Sequence, residues 1–476
     1  MATTASSGTK PRCPLARIVL LVALAACTAV PDVDDAIDAP VSANAPAQIV
    51  GPRGPLTDAQ SRAVITRLTQ EGKNAGVLER HIAIEGAFGD SPLTTGNRVT
   101  LLRDGTATLA AMFGAIQSAR DHINLEYFTF EDVVYEGVHI VDLLSAKARA
   151  GVSVNLIYDG IGSGETPRDV FAKLTKAGVK LVEFNPVNLT AVTVDASANH
   201  RDHRKILVVD GRIGIAGGVN LSAVYTGVPP TPAGPAVRPD KRPPPAPDVW
   251  RDTDLEIEGP AVKELHLLFL ATWTAQKGPP LDAASSPLAI EAKGQQVVQI
   301  IGSDPETPLP LFYAALLSAI RNAESRIWLA EGYFVPTHQA LEDLIAAARR
   351  GVDVRLLLPS QSDSQDALYV GRSHYSDLLE AGVKIYEVEG ATLHSKVAAI
   401  DGVWTSVGSS NFDRRSVVFN NEVDAVVLGR ETAAATEAMF ESDFARAKQI
   451  DPADWNNRPL AERLKEMISP VWEYWL

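Results

Sequence analysis

Two stretches of this chain carry the same chemical set at the same spacing: His203, Lys205 and Asp210, then His394, Lys396 and Asp401. Each is an H-x-K-x4-D pattern inside an apolar, β-branched run. Histidine and lysine two residues apart in a strand point to one face of a sheet. The dipeptides Asp210-Gly211 and Asp401-Gly402 predict type I′ turns that fold each run into a hairpin. With a two-residue loop, His203 faces Gly218 and Lys205 faces Ala216, while His394 faces Ser409 and Lys396 faces Val407. Asn220 and Asn411 then emerge on the same face, just beyond the histidines. Each hairpin offers an imidazole, an ammonium and an amide, and the small Gly218 or Ser409 leaves room for a substrate group.

Such a set suits a phosphodiester. Lys205, Lys396, Asn220 and Asn411 can donate hydrogen bonds to non-bridging oxygens and stabilise the charge that grows in a pentacoordinate transition state. A neutral histidine can attack phosphorus, and a protonated one can donate to the leaving oxygen. One motif supplies half of this chemistry; two supply all of it. A lysine beside each histidine repels a cation, and no clustered cysteine spacing is present, so no metal and no cofactor are expected. Asp210 and Asp401 complete the candidate catalytic set by motif; their place favours holding the turn or pairing with a base over proton transfer. The chain has nine histidines. His81, His122, His139, His200, His266, His338 and His374 lack a repeated counterpart and are left out of the site.

The elements that must position these residues are themselves duplicated. INLEYFTFEDV near Ile123 is echoed by IWLAEGYFVPTH near Ile327, AKARAGVSVNLIYDG by AAARRGVDVRLLLPS, and LTKAGVKLVEF by LLEAGVKIYEV. All recur in the same order, so the chain is a tandem duplication. Each half alternates short apolar runs with helical patterns, which predicts an α/β fold: two similar α/β/α halves with mainly parallel central sheets. If the halves face each other about a pseudo-two-fold axis, their motifs form one shared active site. The aromatic pairs Tyr127-Phe128 and Tyr333-Phe334 recur at strand ends, either lining a substrate path or packing in the core.

The paired motifs, each followed by G-G-V-N or G-S-S-N, resemble the phospholipase D superfamily, and most closely its bacterial cardiolipin synthase branch. The stretches that carry the likeness include NHRDHRKILVVDG, WRDTDLEIEGPAV, EGYFVP, LHSKVAAIDG and VGSSNFDRRSVVFNNEVDAVV. The resemblance implies a phosphatidyltransferase that makes cardiolipin from phosphatidylglycerol through a phosphohistidine. His203 would be the nucleophile and His394 the general acid, then base, with the reverse order left open. It further implies that two acids cross over, Glu422 orienting His203 and Asp252 orienting His394. A hydrolase releasing phosphatidic acid, or a secreted phosphodiesterase or nuclease, would use the same site. The net charge of −14 and pI near 5.2 argue against a nucleic-acid partner.

Lys10, Arg12 and Arg17 precede a short apolar run ending Leu24-Ala25-Ala26-Cys27. This predicts a signal segment over residues 1–27. The ending resembles the bacterial lipobox, which implies acylation of Cys27 and a place in the cell envelope, facing the periplasm and favouring the outer membrane. Both cysteines, Cys13 and Cys27, lie here, so the body has no disulfides. Residues 28–55 read as a flexible tether, 56–276 as the first half with a Pro-rich loop at 227–247, 277–293 as a linker, and 294–476 as the second half. The expected partners are a phospholipid and a membrane surface, which the C-terminal SPVWEYWL touches or, alternatively, leaves to pack on the domain.

Overall fold

The computed structural model describes residues 30–37, 48–70, 75–88, 91–186, 199–227, 249–281, 291–307 and 309–472. Apolar runs such as Ile206–Val209 are buried on both faces, as central strands require. The first half contains β1 (Leu93–Leu102), β2 (His122–Tyr127), β3 (Ser153–Asp159), β4 (Lys180–Phe184), β5 (Lys205–Val209), β6 (Ile213–Gly217) and β7 (Asp254–Glu258). The second repeats them as β8 (Gln296–Ser303), β9 (Arg326–Glu331), β10 (Asp353–Pro359), β11 (Lys384–Val388), β12 (Lys396–Ile400), β13 (Trp404–Gly408) and β14 (Asn420–Leu428).

Strand order is β4-β3-β2-β5-β6-β7-β1 in one half and β11-β10-β9-β12-β13-β14-β8 in the other, the same order twice. Antiparallel pairing of β1 with β8 joins the two sheets at the pseudo-two-fold. The parallel pairings expected from the sequence are those of β2-β3-β4 and β9-β10-β11, where helices such as Ile140–Arg149 and His338–Arg349 make the crossovers. The other pairings are antiparallel, so each sheet is mixed. The reason is local: β5 and β6 are joined by a tight turn, which permits only an antiparallel neighbour.

Helices cover the outer faces, with Leu109, Phe113 and Leu144 packing on Leu125, Leu207 and Ile215 in the first half. The inner faces share one core, where Ile206, Val208 and Leu255 meet Val397, Val407 and Val423 of the other half. The helices Ala261–Ala275 and Arg430–Phe444 complete it through Leu265 and Phe440. That shared core fixes the two motifs against each other.

The N-terminal expectations change. Within the expected tether, Val33 and Ile37 are buried beside Leu317 and Ile320, Asp34 pairs with Arg321, and Ile49–Gly51 adds to β1. The helices Asp58–Gln70 and Ala75–Phe88 bury Leu68, Leu78 and Ile82 in the second half's outer core, so the first half begins at β1 rather than at residue 56. Val33 and Ile37 are too few apolar residues to show a period, and their partners lie far away in the chain. The signal segment 1–27 and nearly all of the Pro-rich loop 227–247 lie outside the described residues, as does the middle of the linker 277–293.

Candidate active site

Each motif histidine precedes its strand, in a short extension that crosses to the other half. Arg201–Asp202 pairs in parallel with Asn420–Asn421, and Trp250–Arg251 with Thr392–Leu393. His203 N–H donates to Asn421 O at 2.9 Å, and His394 N–H to Arg251 O at 2.8 Å. The next residue on each partner segment is Glu422 or Asp252, which brings an acid from one half beside the imidazole of the other. His203 Nδ1 lies 3.0 and 3.1 Å from the Glu422 oxygens, and His394 Nδ1 lies 2.7 Å from Asp252 Oδ2. The crossed pairing expected from the resemblance is the geometry observed. Lys205 and Lys396 are buried, each donating through Nζ to the carbonyl of its own histidine.

Burial dominates the electrostatics. It pushes His203 down to about 4, with Glu422 opposing, and His394 well below its ordinary value, with Lys396 and Lys205 adding to the effect. Both rings are therefore neutral at pH 7, with a lone pair available. Burial also pushes Lys205 down to about 7 and lowers Lys396. The two acids differ. Burial pushes Asp252 up to about 6 against the pull of Lys396. Glu422, although equally buried, is held below the usual carboxylate range by His203, Lys205 and the Ser409 hydroxyl.

The hairpin register is shifted by one residue. Asp210 and Gly211 have φ of 53° and 61°, as a type I′ turn requires, and Arg212 N–H donates to Val209 O. Pairing resumes only at Ile213, opposite Val209, and the second hairpin does the same from Ile400 to Trp404. The extra residue puts Gly217 opposite Lys205 and Gly408 opposite Lys396, in place of Ala216 and Val407. Asp210 accepts from the backbone N–H groups of Arg120, Asp121 and His122; Asp401 does so from Glu324, Ser325 and Arg326. Both sit at the far end of their strands from the imidazoles. They anchor turns and strand starts, and the catalytic role given to them by motif is corrected.

Ser409 and Gly218 likewise move out of the substrate-binding set. Ser409 is fully buried and its Oγ donates to Glu422 Oε2 at 2.6 Å. Gly218 packs on the other acid: a Cβ there would lie 2.2 Å from Asp252 Oδ1. Both support carboxylates, which sequence spacing alone did not distinguish from facing the substrate. Asn220 and Asn411 do line the cleft. The aromatic pairs are offset: Tyr127 and Glu331 hold equivalent positions opposite Lys205 and Lys396. Tyr127 and Phe334 are core residues, whereas Phe128 and Tyr333 line the cleft.

Several residues escaped the sequence reading. Tyr225 Oη lies 3.1 Å from His394 Nδ1, and the Trp250 ring packs at 4.8 Å from the same imidazole. Ser416 and Asn420 donate to Glu422 Oε1 at 2.8 and 3.1 Å. Counting from the asparagines would have paired Tyr225 with Ser416, and counting from the acids would have paired Trp250 with Asn420. Unlike residue types hid both pairs. Both histidines and both asparagines open onto one cleft of about 430 Å³, shared with Arg201, Asp363, Asp413 and Arg415. A larger cleft of about 630 Å³ lies behind Arg204 and Thr272 and is lined by neither motif histidine. Among the described residues no group of His, Cys, Asp or Glu is placed to hold a metal ion.

The family model described as "Cardiolipin synthase, PLD-like domain" matches residues 112–226 and 316–444, one match in each half. The chain is 36% identical over 386 residues to a cardiolipin synthase of Geobacillus kaustophilus (strain HTA426), covering 80% of this chain and 73% of that protein. A cardiolipin synthase of Alkalihalophilus pseudofirmus is 35% identical over 390 residues, with the same coverage. The crystal structure of phosphatidylserine synthase from Haemophilus influenzae Rd KW20 shares the fold, with a TM-score of 0.58 at 12% identity, over 83% of this chain and 98% of that one. The chain belongs to the cardiolipin synthase family, built from the phospholipase D-like domain.

Proposed function

We propose that this protein is a phosphatidyltransferase that makes cardiolipin from phosphatidylglycerol. The observation that carries the reading is the pair of crossed imidazole–carboxylate contacts, His203–Glu422 and His394–Asp252, opening onto one cleft with both asparagines. Lys205, Lys396, Asn220 and Asn411 hold the non-bridging oxygens of the donor phosphate. His203 Nε2 attacks phosphorus while Nδ1–H stays on Glu422. The bond to the glycerol oxygen breaks, and a proton from His394 goes to that oxygen as glycerol leaves. The hydroxyl of a second phosphatidylglycerol then gives its proton to His394 and attacks phosphorus; the P–N bond breaks and cardiolipin is released. For the first step His394 must carry a proton, which the incoming phosphate anion favours against the burial that keeps the ring neutral.

The substrate places the protein at a membrane surface. We extend this to an acylated Cys27 in the cell envelope, facing the periplasm, which mass measurement of the mature N-terminus would test. The reaction itself is tested with phosphatidylglycerol vesicles and a metal chelator, reading lipid products by mass spectrometry. Cardiolipin with released glycerol is expected. Phosphatidic acid alone would make the protein a hydrolase, and persistence of products in His203→Ala would overturn the mechanism.

A further inference from the structure

The duplication supplies an internal control, because each cleft residue has a counterpart at the same distance from its motif. Four residues after Asn411 stands Arg415; four after Asn220 stands Val224. Two residues before His203 stands Arg201; two before His394 stands Thr392. Arg201, Arg415 and Val224 all line the cleft. The His394 end is closed by the rings of Trp250, Tyr225 and Tyr333. The His203 end carries two guanidinium groups that the symmetry of the fold does not require.

These groups are not equally engaged. Arg201 is buried, its Nη1 donating to Asn185 O at 3.1 Å and lying 3.6 Å from Asp159. Arg415 is half-buried, and its hydrogen bond to Asn199 O is long, at 3.5 Å. Asp413 is the nearby acid and feels the charge of Arg415, but its hydrogen bond goes to the Ser416 N–H at 2.8 Å, and Asp363 accepts from Tyr333 Oη at 2.6 Å. Both acids therefore have other partners, and Arg415 keeps donors for an anion in the cleft. A guanidinium suits a phosphate there better than an ammonium would, because its planar fork can donate twice.

The donor phosphate is already served by two lysines and two asparagines. A further anion site in the same cleft implies a substrate with a further anion. We propose that Arg415, backed by Arg201, binds the phosphate of the acceptor lipid, separated from the reacting phosphorus by a glycerol bridge. The inference rests on the transferase reading, whose acceptor is an alcohol that carries its own phosphodiester, and assigns the residues that recognise that second phosphate.

The test uses the full chain with phosphatidylglycerol vesicles and isotopically labelled glycerol. Labelled phosphatidylglycerol reports transfer to a neutral alcohol, and cardiolipin reports transfer to an anionic one. Arg415→Val, which installs the residue of the other half, should lower cardiolipin formation about tenfold more than glycerol exchange, the size of a lost hydrogen bond to a charged group. Arg415→Lys should recover part of that ratio. Glycerol 3-phosphate as a soluble acceptor separates phosphate recognition from lipid recognition, and its use should fall in parallel with cardiolipin. An unchanged ratio of cardiolipin to glycerol exchange in a folded Arg415→Val would overturn the proposal, as would a cardiolipin loss that spares glycerol 3-phosphate. Failure of the unaltered protein to transfer phosphatidyl to any acceptor would instead refute the transferase reading beneath it.

Discussion

Replacing Glu422 with glutamine removes one charge and almost no volume. Glu422 is fully buried and receives His203, Ser409, Ser416 and Asn420. A hydrogen bond to a charged partner contributes about 1.5–3 kcal/mol, which at about 1.4 kcal/mol per tenfold is a rate factor of roughly 10–150. A second effect adds to it. The glutamine amide can donate to Nδ1, and the ring proton then moves to Nε2, the atom that must attack. We expect Glu422→Gln to lose about a hundredfold or more in cardiolipin formation per folded molecule, with about 1–3 kcal/mol lost in unfolding because the amide N–H2 meets donors that the carboxylate accepted. Single-turnover measurements should place the loss in glycerol release. A folded variant within about threefold of full activity would refute the role of the crossed carboxylate, since neither the lost charge nor the tautomer would then matter.

Burial pushes Lys205 down to about 7, so raising the pH through that value removes a positive charge from the phosphate site. kcat/KM should fall on the alkaline side with an apparent pKa near 7; Lys205→Arg should lower activity and abolish that limb, and a surviving limb would assign it elsewhere. Asp401, despite its burial, is held well below the usual carboxylate range by His81, by the Glu324 and Arg326 N–H groups and by Ser325. Its stabilisation is therefore present above the ordinary carboxylate pKa and disappears as pH falls toward the lower folded value. Asp401→Asn should cost about 1–3 kcal/mol in thermal or denaturant unfolding at pH 7 while activity per folded molecule stays within about twofold; a large loss of activity alone would restore a catalytic role. The helix Leu460–Ile468 leaves Leu464, Met467 and Ile468 exposed and ties to Tyr369 through Lys465, next to the helix whose Ala367 lines the cleft. Met467→Gln with Ile468→Gln should weaken sedimentation with vesicles severalfold, and unchanged binding would rule out contact of this helix with lipid.

The sequence by itself determined the duplication, the two motifs and the chemistry they can perform, because spacing in a strand and repetition along a chain are one-dimensional facts. It also placed the I′ turns, since Asp-Gly dictates local backbone angles. It did not determine the hairpin register, where Arg212 and Val403 are accommodated through anchors that Asp210 and Asp401 make to strands far away in the chain. The roles of Ser409 and Gly218 also depended on tertiary structure, because both lie against acids that arrive from neighbouring strands. Val33 and Ile37 looked like tether until a surface nearly 300 residues away covered them. The difference between the two ends of the cleft was hidden for the same reason. Arg415, Tyr225 and Trp250 occupy positions that the duplication repeats with unlike residues, and only folding brings them around the same two imidazoles.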